Sequence, residues 1–151
     1  MAIIINNLSV SAVSSDAELY AIWPTVREGI GGIKRRSEGM FYMPEDVYHE
    51  IKLKQATLLI GRDVITEDYE GFVIIKDYQY PDGKGLFIWI MHHDGKCDDF
   101  VPNFMAALML MGDAVGVIRY CTSAARKGWD RWATRKGFIK TGTINHYEFT
   151  R

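Results

Sequence analysis

The chain has 151 residues, is 48% hydrophobic and 25% charged, and carries a formal net charge of −1 at pH 7. This length and composition are typical of a soluble globular protein, and we predict a single domain over residues 1–151. They argue against a helical membrane protein, because no apolar run approaches the ~20 residues of a span. The start of the sequence lacks the basic segment of a signal peptide. Cys97 and Cys121 lack the spacing of a disulfide framework or zinc site, so we expect a cytoplasmic protein.

The charges are unevenly distributed along the chain. The segment from residue 119 to residue 140 is basic and contains one opposing acid, Asp130. Its basic residues are Arg119, Arg126, Lys127, Arg131, Arg135, Lys136 and Lys140. A basic helix can attract a phosphate group, but such a run more often forms a solvated face. We predict the solvated face.

The first part of the sequence is predicted to form one strand and one long helix. The strand covers residues 3–13, with a break at residues 6–7. The helix begins after the capping residues at 14–16. Its apolar face follows helical spacing at Leu19, Ile22, Trp23, Val26 and Ile30. Pro24 predicts a kink or an early end, and the glycines at 29–32 predict the end of this helix.

A second helix and a meander of strands are predicted next. The helix runs from Pro44 to about Gln55, because proline is tolerated in a first helical turn. Short turns rich in Pro, Gly and acidic residues then separate three β-prone segments, which predicts antiparallel pairing. These segments are residues 57–64, 71–78 and 85–91.

The stretch from residue 85 to residue 112 is the predicted centre of the molecule. The apolar strand 85–91 leads into a polar loop at 92–99 and then into an apolar helix at 100–112. Asp98 or Asp99 is the predicted N-cap of that helix. Free N–H groups at a helix N-terminus favour an anionic ligand. The sequence therefore predicts a ligand site where strand, loop and helix meet.

The remaining residues are predicted to form a strand, a helix and a closing hairpin. The strand covers residues 114–120, and a helix at 124–136 ends at Gly137. Residues 138–140 and 145–150 are predicted to pair as the hairpin. The buried stripe of the helix is predicted to contain Ala125, Trp129 and Trp132.

The predicted order β, α, α, β, β, β, α, β, α, β, β resembles the GCN5-related N-acetyltransferase (GNAT) fold, from about residue 8 to residue 151. The local match is strongest at Lys136-Gly137-Phe138, which is similar to the "GF" start of the family's last hairpin. Gly71-Phe72 resembles the start of the family's third strand. Arg131-Trp132-Ala133 is similar to a pattern in phage-encoded GNAT-like proteins. The resemblance predicts an α/β domain with a mixed, mainly antiparallel sheet flanked by helices.

The resemblance also implies an activity, which is transfer of an acetyl group from acetyl-CoA to an amine. It places the pantetheine arm beside Met91 and His92, and the pyrophosphate over Gly95 and Lys96. His92 or His93 is the implied catalytic base, because histidine titrates near neutral pH. The implied acceptor pocket, at residues 29–43 and the final hairpin, does not specify which amine is used.

Two departures from the family pattern keep a second hypothesis open. The usual glycine-rich pyrophosphate loop is replaced by a loop with Asp98 and Asp99, whose carboxylates repel a diphosphate. Ala133 stands where many family members carry a tyrosine that protonates the leaving thiolate. The alternative is a catalytically inactive GNAT-fold protein that binds a protein partner, such as a phage virion or host-interaction component.

Other site chemistries are not predicted. Adjacent residues on a strand point to opposite faces, so His92, His93 and Asp94 do not predict a metal site. Cys97 lies beside two aspartates, which disfavour its thiolate. The aromatic residues near the basic segment could stack on nucleic acid, but their spacing fits core positions better. They are Tyr78, Tyr80, Trp89, Trp129 and Trp132.

Overall fold

The computed structural model describes residues 2–36, 43–95, 99–123, 129–135, 137–141 and 146–150. These residues form eight strands and four helices. In chain order they are β1 (Ala2–Ile5), β2 (Leu8–Ala12), α1 (Asp16–Arg36), α2 (Pro44–Lys52), β3 (Thr57–Asp63), β4 (Tyr69–Tyr80), β5 (Gly83–His93), α3 (Phe100–Val115), β6 (Val117–Ser123), α4 (Trp129–Arg135), β7 (Ile139–Thr141) and β8 (His146–Thr150).

The described strands form one sheet in the order β1-β2-β3-β4-β5-β6-β8-β7. Strand β5 pairs with β6 in parallel, and the other neighbouring strands pair antiparallel. The parallel pair arises because α3 carries the chain from the end of β5 back to the start of β6. The structure confirms the predicted mixed, mainly antiparallel sheet, its β3–β5 meander and its closing hairpin.

Apolar side chains cover both faces of the sheet. On one face α3 buries Phe100, Phe104 and Leu108 against β2–β6. On the other face α1 and α2 bury Val26, Ile30 and other aliphatic residues against β3–β5. Because both faces are covered, the central strands read as nearly continuous apolar runs in the sequence.

The predicted first strand is instead a hairpin of two strands. Strands β1 and β2 pair antiparallel, with Ile5 opposite Leu8. Asn6 has φ +53°, a left-handed conformation that asparagine tolerates better than most residues. The polar pair that was predicted as a break is therefore a two-residue turn.

Helix α1 is longer than predicted, because it continues through Pro24 and the glycines to Arg36. Gly29 lies where α1 packs closely on the sheet: a methyl group there would be 2.7 Å from Phe72 Cε1 and 3.0 Å from His92 Nδ1. Glycine has a low helix propensity, which favours the end of a helix, but its close packing on the sheet stabilises the helix here. The start was predicted correctly, since Ser15 Oγ accepts a hydrogen bond from the Glu18 N–H at 3.1 Å.

Two other helix ends differ from their predictions. Helix α2 ends at Lys52, and Lys54 follows in a left-handed conformation with φ +59°. Helix α3 continues past Gly112 to Val115 and ends before Gly116, which has φ +78°. Residues 114 and 115 are therefore helical instead of part of the next strand.

The predicted last helix lies only partly within the described residues. Helix α4 covers Trp129–Arg135, and residues 124–128 and 136 of the prediction lie outside the described part. The predicted inward-facing side chains of Ala125, Trp129 and Trp132 also lie outside it.

Candidate acetyl-CoA site

The end of β5 extends past its described pairing with β6. Among the described residues, their parallel pairing runs from Lys84 with Val117 to Ile88 with Thr122. Strand β5 continues for five residues to His93 in pairing with β4 alone. The described part of β6 ends at Ser123, and we call the region beside residues 89–93 of β5, past that point, the candidate cleft.

A β-bulge lies at the point where the described pairing of β5 with β6 ends. On β4 the consecutive residues Ile74 and Ile75 pair with Ile90 and Ile88, so Trp89 is the extra residue of β5. Trp89 and Ile90 both pack towards α1 and α2, whereas Ile88 packs towards α3. An extra residue bends a strand and increases its twist. Because the bulge stands between them, we expect the last residues of β5 to differ in direction from those that pair with β6.

The N-terminus of α3 faces this end of the sheet through Phe100. This ring is fully buried and fills the space left by Gly61 and Gly71, where a methyl group would lie 2.9 Å and 2.6 Å from it. It also stacks on His93 with ring centroids 5.2 Å apart. These contacts fix the first turn of α3 next to the end of β5.

The first turn of α3 offers fewer backbone donors than a typical helix. The structure confirms Asp99 as the N-cap, one of the two predicted positions, but its carboxylate makes no capping hydrogen bond; Asp98 lies outside the described residues. The N–H groups of Phe100 and Val101 remain as donors, and Pro102 has none. The exposed Asp99 carboxylate places a negative charge beside these donors.

His92 and His93 point to opposite faces of the sheet. His92 is half-buried on the α1 face, where its ring stacks on Phe72 at 5.7 Å and lies close to α1 at Gly29. His93 is half-buried on the α3 face against Phe100. The two rings therefore cannot act on one atom as a pair.

The hydrogen bond of His93 determines its tautomer. Its Nδ1 accepts a hydrogen bond from the Gly95 N–H at 3.2 Å. A neutral imidazole that accepts at Nδ1 carries its proton on Nε2. In that tautomer His93 can donate a hydrogen bond from Nε2.

The loop after β5 lies only partly within the described residues. Gly95 has φ +81°, and the position of an added methyl group has no neighbour within 4 Å. The left-handed backbone conformation thus favours glycine, and no described residue would hinder a side chain there. Lys96, Cys97 and Asp98 lie outside the described residues. Met91 is half-buried and packs towards α3.

The position of the family's acidic tyrosine holds no proton donor. Ala133 of α4 is fully buried in the α3-side core, and its carbonyl accepts a hydrogen bond from the Phe138 N–H at 3.0 Å. Tyr120 does not replace it, because its buried hydroxyl lies 3.4 Å from the carbonyls of Leu108 and Met109. Ala133 and Tyr120 therefore contribute to packing in this part of the core.

Tyr69 is a residue near the cleft that the sequence did not single out. It begins β4 and packs towards α1 and α2, and its buried hydroxyl has no hydrogen-bond partner among the described residues. Burial raises the pKa of this phenol, and the negative charge of Asp94 raises it further. The hydroxyl is therefore protonated at neutral pH and can donate a hydrogen bond.

The described residues show neither a metal-ligand cluster nor a membrane-spanning helix. They contain no group of three or more His, Cys, Asp or Glu side chains that could hold a metal ion. Within the same residues, no helix is both long and apolar enough to cross a membrane.

Comparison with solved structures identifies the fold. An acetyltransferase of the GNAT family from Listeria monocytogenes 4b F2365 matches over 100% of both chains with a TM-score of 0.73 and 10% identity. AtaTR bound with acetyl-CoA matches over 97% of this chain and 94% of the other, with a TM-score of 0.64 and 12% identity. A mutant AtaT toxin bound to the C-terminus of the antitoxin AtaR and acetyl-CoA matches over 96% and 94%, with a TM-score of 0.60 and 12% identity.

Sequence comparison gives no relatives, since no protein-family model and no curated protein matches the chain. At identities of 10–12%, the structural matches establish the architecture of the chain. The chain therefore has the fold of the GCN5-related N-acetyltransferases.

Proposed function

We propose that this protein transfers an acetyl group from acetyl-CoA to an amine. The observation that carries the proposal is the bulge at Trp89, past which β5 continues beyond its described pairing with β6 towards the N-terminus of α3. The backbone of β5 from the bulge to His92 would pair with the pantetheine arm. Gly95, Lys96 and the first N–H groups of α3 would bind the diphosphate. When bound, acetyl-CoA supplies an acyl group activated as a thioester.

The described residues fit these two parts of acetyl-CoA unequally. The cleft beside Met91 is suited to an extended chain, because backbone groups of a separated strand can pair with an added strand-like ligand. The proposed diphosphate site has two backbone N–H donors at the start of α3. Pro102 provides no third donor, and the exposed Asp99 carboxylate repels the diphosphate. We therefore expect affinity to depend mainly on the pantetheine part, and to be lower than a glycine-rich loop would give.

His92 and His93 have different roles in this proposal. His92 lies on the face of the sheet covered by α1, and we assign it as the base that accepts the proton of the attacking amine. His93 donates from Nε2 to an oxygen of the cofactor, since its Nδ1 already accepts the Gly95 N–H. Ala133 supplies no proton to the leaving CoA thiolate, which would take its proton from water instead, so we expect slow turnover.

A second candidate function is a non-catalytic GNAT-fold protein that binds a protein partner. The buried methyl group of Ala133 and the exposed Asp99 carboxylate favour it, because both weaken the chemistry that the fold supports. The AtaT toxin, which has a similar fold, is bound to a segment of its antitoxin. A role in a phage virion or in host interaction stays a prediction.

Calorimetry followed by a thiol-release assay tests the proposal. We expect acetyl-CoA to bind one equivalent and a panel of primary amines to release CoA thiol in the presence of protein. His92→Gln should lower kcat more than KM, and His93→Gln should raise the KM for acetyl-CoA. His49→Gln on the exposed side of α2 is the control and should change neither. Binding without turnover for any amine would favour the non-catalytic function.

A further inference from the structure

A groove between α1 and α2 has the chemistry of a cation-binding site. It has a volume of about 480 Å³ and is lined by Tyr20, Ala21, Trp23, Pro24, Glu45 and Tyr48. Three aromatic rings and a carboxylate therefore surround one concave space. The volume is within the ~300–1,000 Å³ that small-molecule sites occupy.

The aromatic walls of the groove are held in different ways. Trp23 and Tyr48 are half-buried and meet edge to face, with ring centroids 4.9 Å apart and planes at 63°. Both pack on the core between α1, α2 and the sheet, so their positions are fixed by buried neighbours. Tyr20 is 79% exposed and can adjust to a ligand. The face of an aromatic ring attracts a cation through its quadrupole.

Among the described residues that line the groove, the charged one is an acid. Glu45 Oε1 accepts a hydrogen bond from Arg27 Nε at 3.0 Å, and both side chains are more than half exposed. Arg27 is not part of the groove lining. An exposed ion pair of this kind contributes little energy and exchanges easily. A cation in the groove would therefore compete with Arg27 for the Glu45 carboxylate.

We propose that this groove binds a small organic cation that carries an alkylammonium group, which would lie against the rings of Trp23 and Tyr48 and beside Glu45. The groove lining includes none of the residues that we assign to acetyl-CoA. Pro24, the lining residue of α1 closest in sequence to Gly29, precedes it by five residues, or ~7.5 Å along the helix axis. The proposal does not depend on acetyl transfer, because a quaternary ammonium ion has no N–H group to acetylate.

Choline and 3,3-dimethylbutan-1-ol test the proposal as a pair of equal shape that differs in charge. Binding is followed by the shift of the Trp23 indole N–H signal in NMR spectra, which Trp23→Phe assigns. We expect choline to bind in the millimolar range and the neutral alcohol to bind about tenfold more weakly. Equal affinity of the two compounds, or a failure of choline to shift the signal, would overturn the proposal.

Charge variants of the ion pair give opposite expected results. Glu45→Gln should weaken choline binding about threefold, and Arg27→Met should strengthen it about twofold by freeing the carboxylate. Tyr20→Leu should weaken it about threefold by removing one ring. Glu28→Gln, an exposed acid on α1 outside the groove lining, is the matched control and should leave the affinity unchanged. Weaker binding in Arg27→Met would contradict the assigned role of Glu45.

Discussion

The packing of α1 on the end of β5 predicts opposite effects for two identical substitutions. In Gly29→Ala the new methyl group would lie 2.7 Å from Phe72 Cε1 and 3.0 Å from His92 Nδ1. Phe72 is fully buried and cannot move away without displacing the core. In Gly31→Ala the nearest atom is Arg35 Nη1 at 3.5 Å, an ordinary contact with a flexible side chain.

The sizes of two opposing effects, helix propensity and overpacking, decide whether each substitution raises or lowers the free energy of unfolding. Replacing glycine by alanine inside a helix stabilises it by about 1 kcal/mol, whereas overpacking a core costs about 1–3 kcal/mol. We therefore expect Gly31→Ala to raise the free energy of unfolding by about 0.5–1 kcal/mol. Gly29→Ala should lower it by about 1 kcal/mol, the difference between the two terms at that position.

Urea denaturation followed by circular dichroism measures both changes. A change of 1 kcal/mol corresponds to about 2–4 °C in Tm for a chain of this size, so thermal melting is a second readout. Gly29→Ala should also reduce acetyl transfer, because the methyl group displaces His92. If Gly29→Ala were as stabilising as Gly31→Ala, α1 would not lie as close to Phe72 and His92 as the structure places it.

Three further predictions concern residues near the cleft and the turn before β4. Asp99→Ala should strengthen acetyl-CoA binding about two- to fivefold in calorimetry without lowering Tm, because its exposed carboxylate repels the diphosphate and does not cap α3; weaker binding would contradict this. Tyr69→Phe should leave stability equal or raise it by up to about 1 kcal/mol in urea denaturation, since it removes a buried hydroxyl without a described partner; a large loss would show that the hydroxyl is bonded. The pKa of Asp63 is lowered by hydrogen bonds from the Thr66 and Ile65 N–H groups. The ionised Asp63 carboxylate therefore contributes to the free energy of unfolding at pH values above its ordinary pKa of 3.8, and this contribution is lost as the pH falls through its lower pKa in the folded protein. Asp63→Ala should consequently destabilise the protein at pH 7, and the stabilities of the variant and the wild type should converge in acid.

Local signals in the sequence predicted much of the fold. The apolar runs of β3–β5, the turn after Tyr80 and the glycine after α4 each depend on a few neighbouring residues. The predicted end of α1 was wrong because the reason for Gly29 is not local: the glycine is required by Phe72 and His92, which lie far away in the sequence. The length of β1 was wrong because a polar pair of residues indicates a break without giving its geometry.

The sequence predicted less of the candidate site than of the fold. Strand alternation correctly placed His92 and His93 on opposite faces, but their stacking partners, Phe72 and Phe100, belong to other elements. At the bulge, β5 has one residue more than its partner β4 between two paired positions. The sequence of a single strand does not predict such an extra residue. A glycine inside a helical pattern is the one signal that could have indicated the close contact above His92.

Hydrogen–deuterium exchange with and without acetyl-CoA tests the central claim most directly, because it reports both whether the cofactor binds and where. We expect protection of backbone amides from the bulge at Trp89 through Gly95 and at Phe100 and Val101 in the first turn of α3. Amides of β1 and β2 at the far edge of the sheet serve as the internal control and should not change. An unchanged exchange pattern at millimolar acetyl-CoA, or protection confined to another part of the molecule, would contradict the account.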